Sequence, residues 1–365
     1  MDPLDRLYLQ RACELAKRGI GNTSPNPAVG AVVVCDGAIV GEGYHHRAGE
    51  PHAEVHALQA AGERARGATL YVSLEPCNHH GRTPPCSQAV ADAGVTRVVI
   101  GAPDPNPKTN GGGIQFLRGR GIAVDLANDT SALEIVEPFA YAIRASRPYV
   151  SLKMAMSLDG YIASQQGRQE WLTGEPAREF VRELRIAHDA VAVGAGTVRV
   201  DNPQLTVRPA HHRLRDYVRV VVCETDTVDP QSAVFTREEG YAKTIVLAPA
   251  GAAPRFADLH GVADVLFVGA SNELDLDMQA AFCALRERGI TSVLCEGGPT
   301  MAGHLVAGGL VDRFHWLIAP RLLRSENAVP VLTAGALGGV RGLRFDRVEP
   351  LGRDVLVSGI VDHNV

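Results

Sequence analysis

The sequence predicts two α/β domains in tandem, residues 1–146 and 147–365. Three observations lead to that reading. A chain of 365 residues exceeds one ordinary hydrophobic core. Apolar runs of strand length alternate with segments of helical spacing, the pattern of sheets covered by helices. A join at residues 144–148 ends in Pro148, which favours an extended start to the second portion.

In the first portion, apolar residues at Leu4, Leu7, Tyr8, Ala12, Leu15 and Ala16 have helical spacing, and Gly19 and Gly21 end the helix. Thr23-Ser24-Pro25-Asn26-Pro27 is a rigid loop before a strand at 29–35, and Asp36-Gly37 turns the chain into a returning strand at 38–43. Residues 52–61 read as a helix with His52 and Glu54 in its first turn. A buried strand at 69–74 delivers Glu75-Pro76-Cys77 to its C-terminal end, where α/β sheets place their sites. Cys86 starts a helix over 86–93, a strand follows at 95–100, and residues 103–107 form a proline-rich loop. Gly111-Gly112-Gly113 precedes another helix, and 122–126 is a short strand, which together make an α/β/α layer domain.

The second portion opens with a strand running into a turn over 149–160, then a helix at 178–187 and a buried strand at 190–194. Gly194-Ala195-Gly196-Thr197 leads onto a polar loop at 199–203. Further strands read at 218–223, 244–248, 265–268 and 293–295, with helices at 278–288 and from Met301; 313–319 and 354–361 complete an α/β sheet. No G-x-G-x-x-G follows a strand, so the ordinary dinucleotide fingerprint is absent. Glu296-Gly297-Gly298-Pro299-Thr300 joins a strand to a helix instead, and its glycines let a phosphate approach the helix N–H groups.

The net charge of −5 gives no general attraction to nucleic acid or anionic membranes, so a phosphorylated substrate needs local arginines. The seven cysteines are odd in number and dispersed, which favours a reducing compartment and free thiolates. The first residues lack a basic segment followed by an apolar run, and no uncharged apolar run reaches the ~20 residues of a membrane span. A cytoplasmic protein is expected.

The chemistry concentrates in His52-Ala53-Glu54, Glu75-Pro76-Cys77 and Pro85-Cys86. His52, Cys77 and Cys86 offer three ligands to one Zn2+ and leave a fourth position for water, as a catalytic zinc requires. Glu54 is not needed as a ligand and can carry protons. A closed structural zinc would use His79 or His80 as the fourth ligand, but leaves Glu54 without a purpose. His56 reads as a packed residue rather than a ligand. The catalytic reading is hydrolytic deamination, and its His-x-Glu, Pro-Cys and second Cys resemble the zinc deaminase signature. Eight residues separate the cysteines here, where two are usual.

Together with Gly41-Glu42-Gly43-Tyr44-His45 and the run Ser73-Leu74-Glu75-Pro76-Cys77-Asn78-His79-His80-Gly81-Arg82-Thr83-Pro84-Pro85-Cys86, these segments resemble the bifunctional riboflavin-biosynthesis deaminase–reductases. The resemblance implies a cytidine-deaminase-like N-terminal domain and a dihydrofolate-reductase-like C-terminal domain. It implies deamination of a diaminopyrimidinone bearing a ribosylamino 5-phosphate, then reduction of the ribosyl group to ribityl with NADPH. Asn26, His45, His79, Arg82, Asp104 and Asn106 fall at positions for substrate contacts in the first domain. In the second, Ala155, Trp171, Thr197, Asp201, Gly298, Pro299, Thr300, Met301, Ala302, Gly303 and His304 fall at NADP-contacting positions. Gln169, Arg185, Leu205, Arg208 and Glu296 fall at substrate positions, with Lys153 and Asp201 as candidates for aiding proton delivery. Simpler roles exist: Arg185 could cap a helix, Trp171 could be core, and Asp201-Asn202-Pro203 could be only a turn. The resemblance also implies a homo-oligomer built through the second domain, for which the apolar run 314–323 could supply a surface.

Three departures stand out. Gln169 replaces a common serine, Tyr161 replaces a usual basic residue, and Cys223-Glu224 follows Val220-Val221-Val222 where an acidic residue and a serine are common. A carboxylate at Glu224 is unfavourable near a 2′-phosphate. A deaminase with an impaired or NADH-using reductase half therefore stays open. So do a non-enzymatic zinc module and a nucleic-acid-editing zinc deaminase, although the acidic balance and lack of a basic stripe weigh against the last.

Overall fold

The structure, a computed structural model, describes residues 2–79, 85–107, 109, 111–207, 216–270, 272, 274–333 and 342–362. Contacts divide the chain into two compact units, Met1–Ala145 and Ser146–Val365.

The first unit begins with α1 (Pro3–Lys17), started by Asp2, whose side chain accepts a hydrogen bond from the Leu4 N–H. Its strands are β1 (Gly30–Cys35), β2 (Ala38–Tyr44), β3 (Thr69–Leu74), β4 (Arg97–Ala102) and β5 (Ala123–Leu126), and its other helices are α2 (Ala53–Ala61), α3 (Cys86–Asp92), α4 (Gly112–Gly119) and α5 (Thr130–Arg144). The sheet order is β2-β1-β3-β4-β5, with β1 antiparallel to both neighbours and β3, β4 and β5 parallel. Alternate residues of β1 serve opposite faces. Val32 and Val34 meet Leu9, Ala12 and Leu15 of α1. Ala31 and Val33 join Ala53, Ala57 and Ala61 of α2.

The seating of α2 has a local cause. A Cβ on Gly41 would lie 2.2 Å from the Ala57 carbonyl oxygen, and one on Gly43 would lie 2.5 Å from the Ala57 nitrogen. Without side chains there, α2 lies flush on β2. His52 is the N-cap of α2 rather than a member of its first turn, because its backbone is still extended. Helix α5 was not anticipated from the sequence, although Asp129 accepts from the Ser131 and Ala132 N–H groups and Ala132 and Val136 face inward at helical spacing.

The second unit contains β6 (Tyr149–Ser157), β7 (Tyr161–Ala163), α6 (Glu175–Ala187), β8 (Ala190–Gly194), α7 (Ala195–Asp201), β9 (Val218–Val222), β10 (Thr244–Pro249), β11 (Ala263–Val268), α8 (Met278–Glu287), β12 (Ser292–Cys295), α9 (Pro299–Ala307), β13 (Arg313–Ala319), β14 (Val329–Pro330), β15 (Gly342–Leu351) and β16 (Asp354–Asp362). Nine strands form one sheet in the order β11-β10-β9-β8-β12-β6-β13-β16-β15. The strands from β11 to β13 are parallel, and β16 and β15 add an antiparallel edge. Strands β7 and β14 pair separately. Helices α8 and α9 pack on one face, through Phe282, Leu285, Met301 and Leu305, while α6 covers part of the other through Ala177, Phe180 and Leu184.

Three expectations change here. Residues 199–201 close helix α7 and are not part of a polar loop. Most of the run 314–323 is taken up inside the sheet: β13 lies between β6 and β16, with Phe314, Leu317 and Ala319 buried, and Leu322 beyond the strand is exposed. Strand β15 is not evident in the sequence because charged and apolar residues are interspersed and mostly exposed, without a buried alternating set. Among the described residues no helix is long and apolar enough to cross a membrane.

The starts of β6 and β13 are tied by a buried ion pair. Arg147 donates to both carboxylate oxygens of Asp312, at 2.7 and 3.0 Å, and Asp312 also accepts from the Val150 N–H at 2.8 Å. Replacing Asp312 with Ala leaves a buried guanidinium without its carboxylate, with an expected stability loss of about 3–5 kcal/mol. Trp171 and Trp316 are the two tryptophans and both lie in this unit, so denaturant titration followed by tryptophan fluorescence measures that loss.

Candidate functional site

In the first unit, α2 presents His52 at its N-cap, the chain leaving β3 presents Cys77, and α3 begins with Cys86. Their ligand atoms all lie within 4.8 Å of one another. His52 Nδ1 is 3.0 Å from Cys86 Sγ and 3.7 Å from Cys77 Sγ. Tetrahedral zinc with ordinary Zn–N and Zn–S bonds separates nitrogen from sulfur by roughly 3.5 Å, so the donor set fits. The Cys86 N–H also points at Cys77 Sγ, at 3.4 Å. The hydrogen bond from Cys86, with help from His52, draws the Cys77 thiol down to about 4, toward the thiolate that binds metal. Cys86 is pushed up by Cys77 and by burial.

Glu54 follows His52 in the first turn of α2 and is 3 % exposed. Burial pushes its carboxyl up to about 7. Its Oε2 is buried and has no hydrogen-bond partner among the described residues. An unsatisfied buried carboxylate oxygen is costly unless a ligand meets it.

A cavity of about 420 Å³ opens on this cluster, lined among others by Asn26, His45, His52, Glu54, Glu75, Cys77, His79, Asp104 and Asn106. His45 Nδ1 lies 3.2 Å from the Pro51 carbonyl oxygen, which can only accept, so that nitrogen carries the hydrogen and Nε2 accepts from Asn26 Nδ2 at 3.3 Å. Burial lowers the pKa of His45 and raises that of Asp104. The Asp104 carboxylate accepts the Asn106 N–H at 2.9 Å, and His79 Nδ1 meets Thr109 Oγ1 at 3.1 Å. His79 is not part of the metal-binding group, and His56 stacks on His46 outside it. Arg82 and His80 lie outside the described residues. Phe139 also lines the cavity; it belongs to α5, so missing that helix hid it.

In the second unit the parallel registers set Cys295 beside Leu152 and His315 beside Lys153, so Lys153 sits mid-sheet next to the strand end that carries Glu296. Helix α6 lays Arg185 over Glu296, with Nε–Oε1 at 2.5 Å and Nη2–Oε2 at 3.0 Å, while Nη1 donates to the Thr206 carbonyl at 2.8 Å. Arg185 is thus a paired residue and not a helix cap. Burial acts to raise the Glu296 carboxyl, but Arg185 and Lys153 hold it below its usual range. Burial lowers the Lys153 ammonium. Leu205 is buried with a positive φ of 55°, an uncommon backbone for leucine, immediately before the Thr206 carbonyl that Arg185 uses.

Gly298 precedes α9 with φ 66°, and a Cβ there would stand 3.2 Å from Thr197 Oγ1 of α7. The starts of α7 and α9 therefore lie side by side. Met301, Ala302 and Gly303 are buried, and Thr300 and His304 are exposed. His304 Nδ1 contacts the Glu224 carboxylate just beyond β9. Asp201 ends α7, and burial raises its carboxyl. Ala155 packs beside α6, whereas Gln169 and Trp171 are exposed, with Arg178 over the Trp171 ring. Trp171 is therefore not core. Arg208 lies outside the described residues.

Two family models match these units: the cytidine and deoxycytidylate deaminase zinc-binding region over residues 3–102, and the RibD C-terminal domain over 148–357. The riboflavin biosynthesis protein RibD of Bacillus amyloliquefaciens is 39% identical over 363 residues, spanning 98% of this chain and 96% of that protein. The chain belongs to the RibD family. RibD of Escherichia coli K12 is also 39% identical, over 96% of this chain and 98% of its own length. The solved structure of Acinetobacter baumannii RibD superposes with TM-score 0.82 at 35% identity, covering 99% of both chains. A Thermotoga maritima diaminohydroxyphosphoribosylaminopyrimidine deaminase/5-amino-6-(5-phosphoribosylamino)uracil reductase superposes with TM-score 0.81 at 33% identity, covering 98% of this chain and 99% of that one. The protein is accordingly a bifunctional riboflavin-biosynthesis enzyme of the RibD type, with a zinc-binding deaminase domain and a dihydrofolate-reductase-like reductase domain. The reductase domain implies a nicotinamide cofactor.

Elemental analysis of the purified protein is expected to find one zinc per chain, as the single His/Cys/Cys group among the described residues requires. Cys86→Ser and His52→Ala are each expected to lose it.

Proposed function

We propose that the first unit hydrolytically deaminates 2,5-diamino-6-(5-phosphoribosylamino)pyrimidin-4-one and that the second reduces the ribosyl group of the product to ribityl with NADPH. The observation that carries the first half is the buried, unpartnered Glu54 carboxylate oxygen beside His52, Cys77 and Cys86, facing a cavity of substrate size. His52, Cys77 and Cys86 hold zinc, which when bound brings the pKa of a water near ~7. Glu54, itself poised near neutrality, takes a proton from the attacking water and passes it to the departing amine. The ring carbon gains the water oxygen, its bond to nitrogen breaks, and ammonia leaves. Asn26, His45, His79, Asp104 and Asn106 bind the pyrimidine and ribosyl portions, and the Arg82 guanidinium suits the phosphate.

In the second unit the cofactor lies along the starts of α7 and α9, against Ala155, Trp171, Thr197, Asp201 and residues 298–304. Small residues and helix N–H groups there accept a pyrophosphate. Glu296, oriented by Arg185, hydrogen-bonds the substrate. Gln169, Leu205 and Arg208 contribute further substrate contacts, and Lys153 and Asp201 aid proton delivery as the hydride is transferred. A cytoplasmic location supports this chemistry, because Cys77 and Cys86 bind metal only as reduced thiols. A homo-oligomer would use the exposed apolar residues Leu343, Phe345 and Val348 of the edge strand β15.

One observation favours a second reading of the cofactor. Glu224 stands at the C-terminal end of a parallel strand and reaches His304 of α9. An acid at such a strand end accepts the ribose hydroxyls of NADH, whereas it opposes a 2′-phosphate.

Two outcomes test these assignments. Glu54→Gln is expected to keep its zinc and its reduction of already deaminated substrate while losing on the order of 10²–10⁴ in the deamination rate, read by ammonia release. Glu224→Gln is expected to raise kcat/KM for NADPH roughly tenfold and leave that for NADH unchanged or lower, read by cofactor oxidation at 340 nm.

A further inference from the structure

Glu75 binds no ligand in the reading above, yet its carboxylate is the most heavily used acceptor around the deaminase cavity. It leaves the end of β3, where its own N–H donates to the Ala102 carbonyl at 2.9 Å. The residue is 3 % exposed. Oε1 accepts the N–H groups of Gly113 at 3.0 Å and Ile114 at 3.2 Å. Oε2 accepts those of Gly111 at 3.2 Å and Asp104 at 3.3 Å.

Three of those donors are the N-cap and the second and third residues of α4. The N-cap itself is Gly111 in a left-handed conformation, with no side chain to cap the helix. A helix start leaves such N–H groups unsatisfied, and an acceptor near them also meets the positive end of the helix dipole. Glu75 therefore performs from β3 the capping that residue 111 cannot. The fourth donor, Asp104, carries the loop that bears Asn106. Between these anchors lies Thr109, which holds His79. An independent contact fixes the same approach: a Cβ on Gly113 would lie 2.0 Å from the Pro76 carbonyl oxygen, so α4 starts directly against the segment linking Glu75 to Cys77.

We propose that Glu75 is a positioning residue for the deamination substrate: through four backbone N–H groups it holds Asp104 and the start of α4 at Gly111, Gly113 and Ile114 against the metal-binding segment and thereby sets where His79, Asp104 and Asn106 stand relative to Cys77. This rests on the reading that those three residues contact substrate. Metal binding does not need the loop, since His52 caps α2, Cys77 follows β3 and Cys86 begins α3. Glu75→Gln keeps the shape but turns one acceptor oxygen into a donor amide facing N–H groups, so the loop is released while the cysteines stay in place.

The test uses the full-length zinc-loaded chain. In Glu75→Gln, the KM for the deamination substrate is expected to rise on the order of tenfold or more, with kcat falling by less and zinc content unchanged. Gly113→Ala, whose Cβ would press on the Pro76 carbonyl and meet Glu75 Cγ at 3.3 Å, is expected to shift the same helix start and raise KM as well. Hydrogen exchange provides a readout independent of turnover: the amides of Asp104, Gly111, Gly113 and Ile114 are expected to exchange faster in Glu75→Gln, with those of β3 unaffected. An unchanged KM together with unchanged exchange would overturn the proposal, and so would loss of zinc, which would make Glu75 a support of the metal site. Faster exchange with an unchanged KM would refute the link to substrate while leaving the deaminase assignment intact, since wild-type ammonia release tests that separately.

Discussion

A side chain at Gly41 or Gly43 would run into the backbone of α2, and because neither position has one, the helix rests directly on β2. That close seating puts His52 at the helix entrance and Glu54 in the first turn of α2, near the cysteines that leave β3 and enter α3. The chemistry of the deaminase half depends on this proximity. A carboxylate in that position loses most of its water, which is what raises Glu54 toward neutrality. The same acid in a solvated loop would stay ionised and would be a poor shuttle at neutral pH.

The reductase half solves a different problem, that of keeping charges beneath a helix. Lys153, Glu296 and Arg185 are brought together from β6, the end of β12 and α6. Desolvation alone disfavours every one of them, and the two-pronged bond between Arg185 and Glu296 offsets that cost. The arrangement also means that Arg185 and Glu296 form one bonded pair rather than two separate side chains. The start of α9, by contrast, is built of small residues and lies beside Thr197, so the same edge of one sheet presents a charged group of side chains and the glycine-rich start of a helix within a few residues of Glu296-Gly297-Gly298.

Both halves were largely legible as strands because parallel strands buried on two faces are nearly continuous apolar runs; residues 69–74 and 190–194 read without ambiguity for that reason. The elements that escaped lack that signature. Helix α5 contains Pro138 and alternates small with large residues, and β15 carries charge on an exposed edge. Residues 199–201 look like turn chemistry locally, but the packing of Ala195 and Val198 keeps them helical. Residues 314–319 show the limit in the other direction: apolar composition marks burial, and only the sheet order shows that the cover is the protein's own.

What the sequence determined by itself is chemical identity at short range. His52, Glu54, Cys77 and Cys86, the eight-residue spacer between the cysteines, and Glu296-Gly297-Gly298 are all local patterns, and each names its chemistry through donor types and spacing. The tertiary structure decided which partners those side chains meet. Nothing near Glu75 in sequence indicates that its carboxylate serves amides 29 to 39 residues away, or that Arg185 and Glu296, 111 residues apart, share one bond network. Spacing along a chain encodes periodicity and ligand type, whereas the set of neighbours around a buried polar group depends on how helices and strands pack.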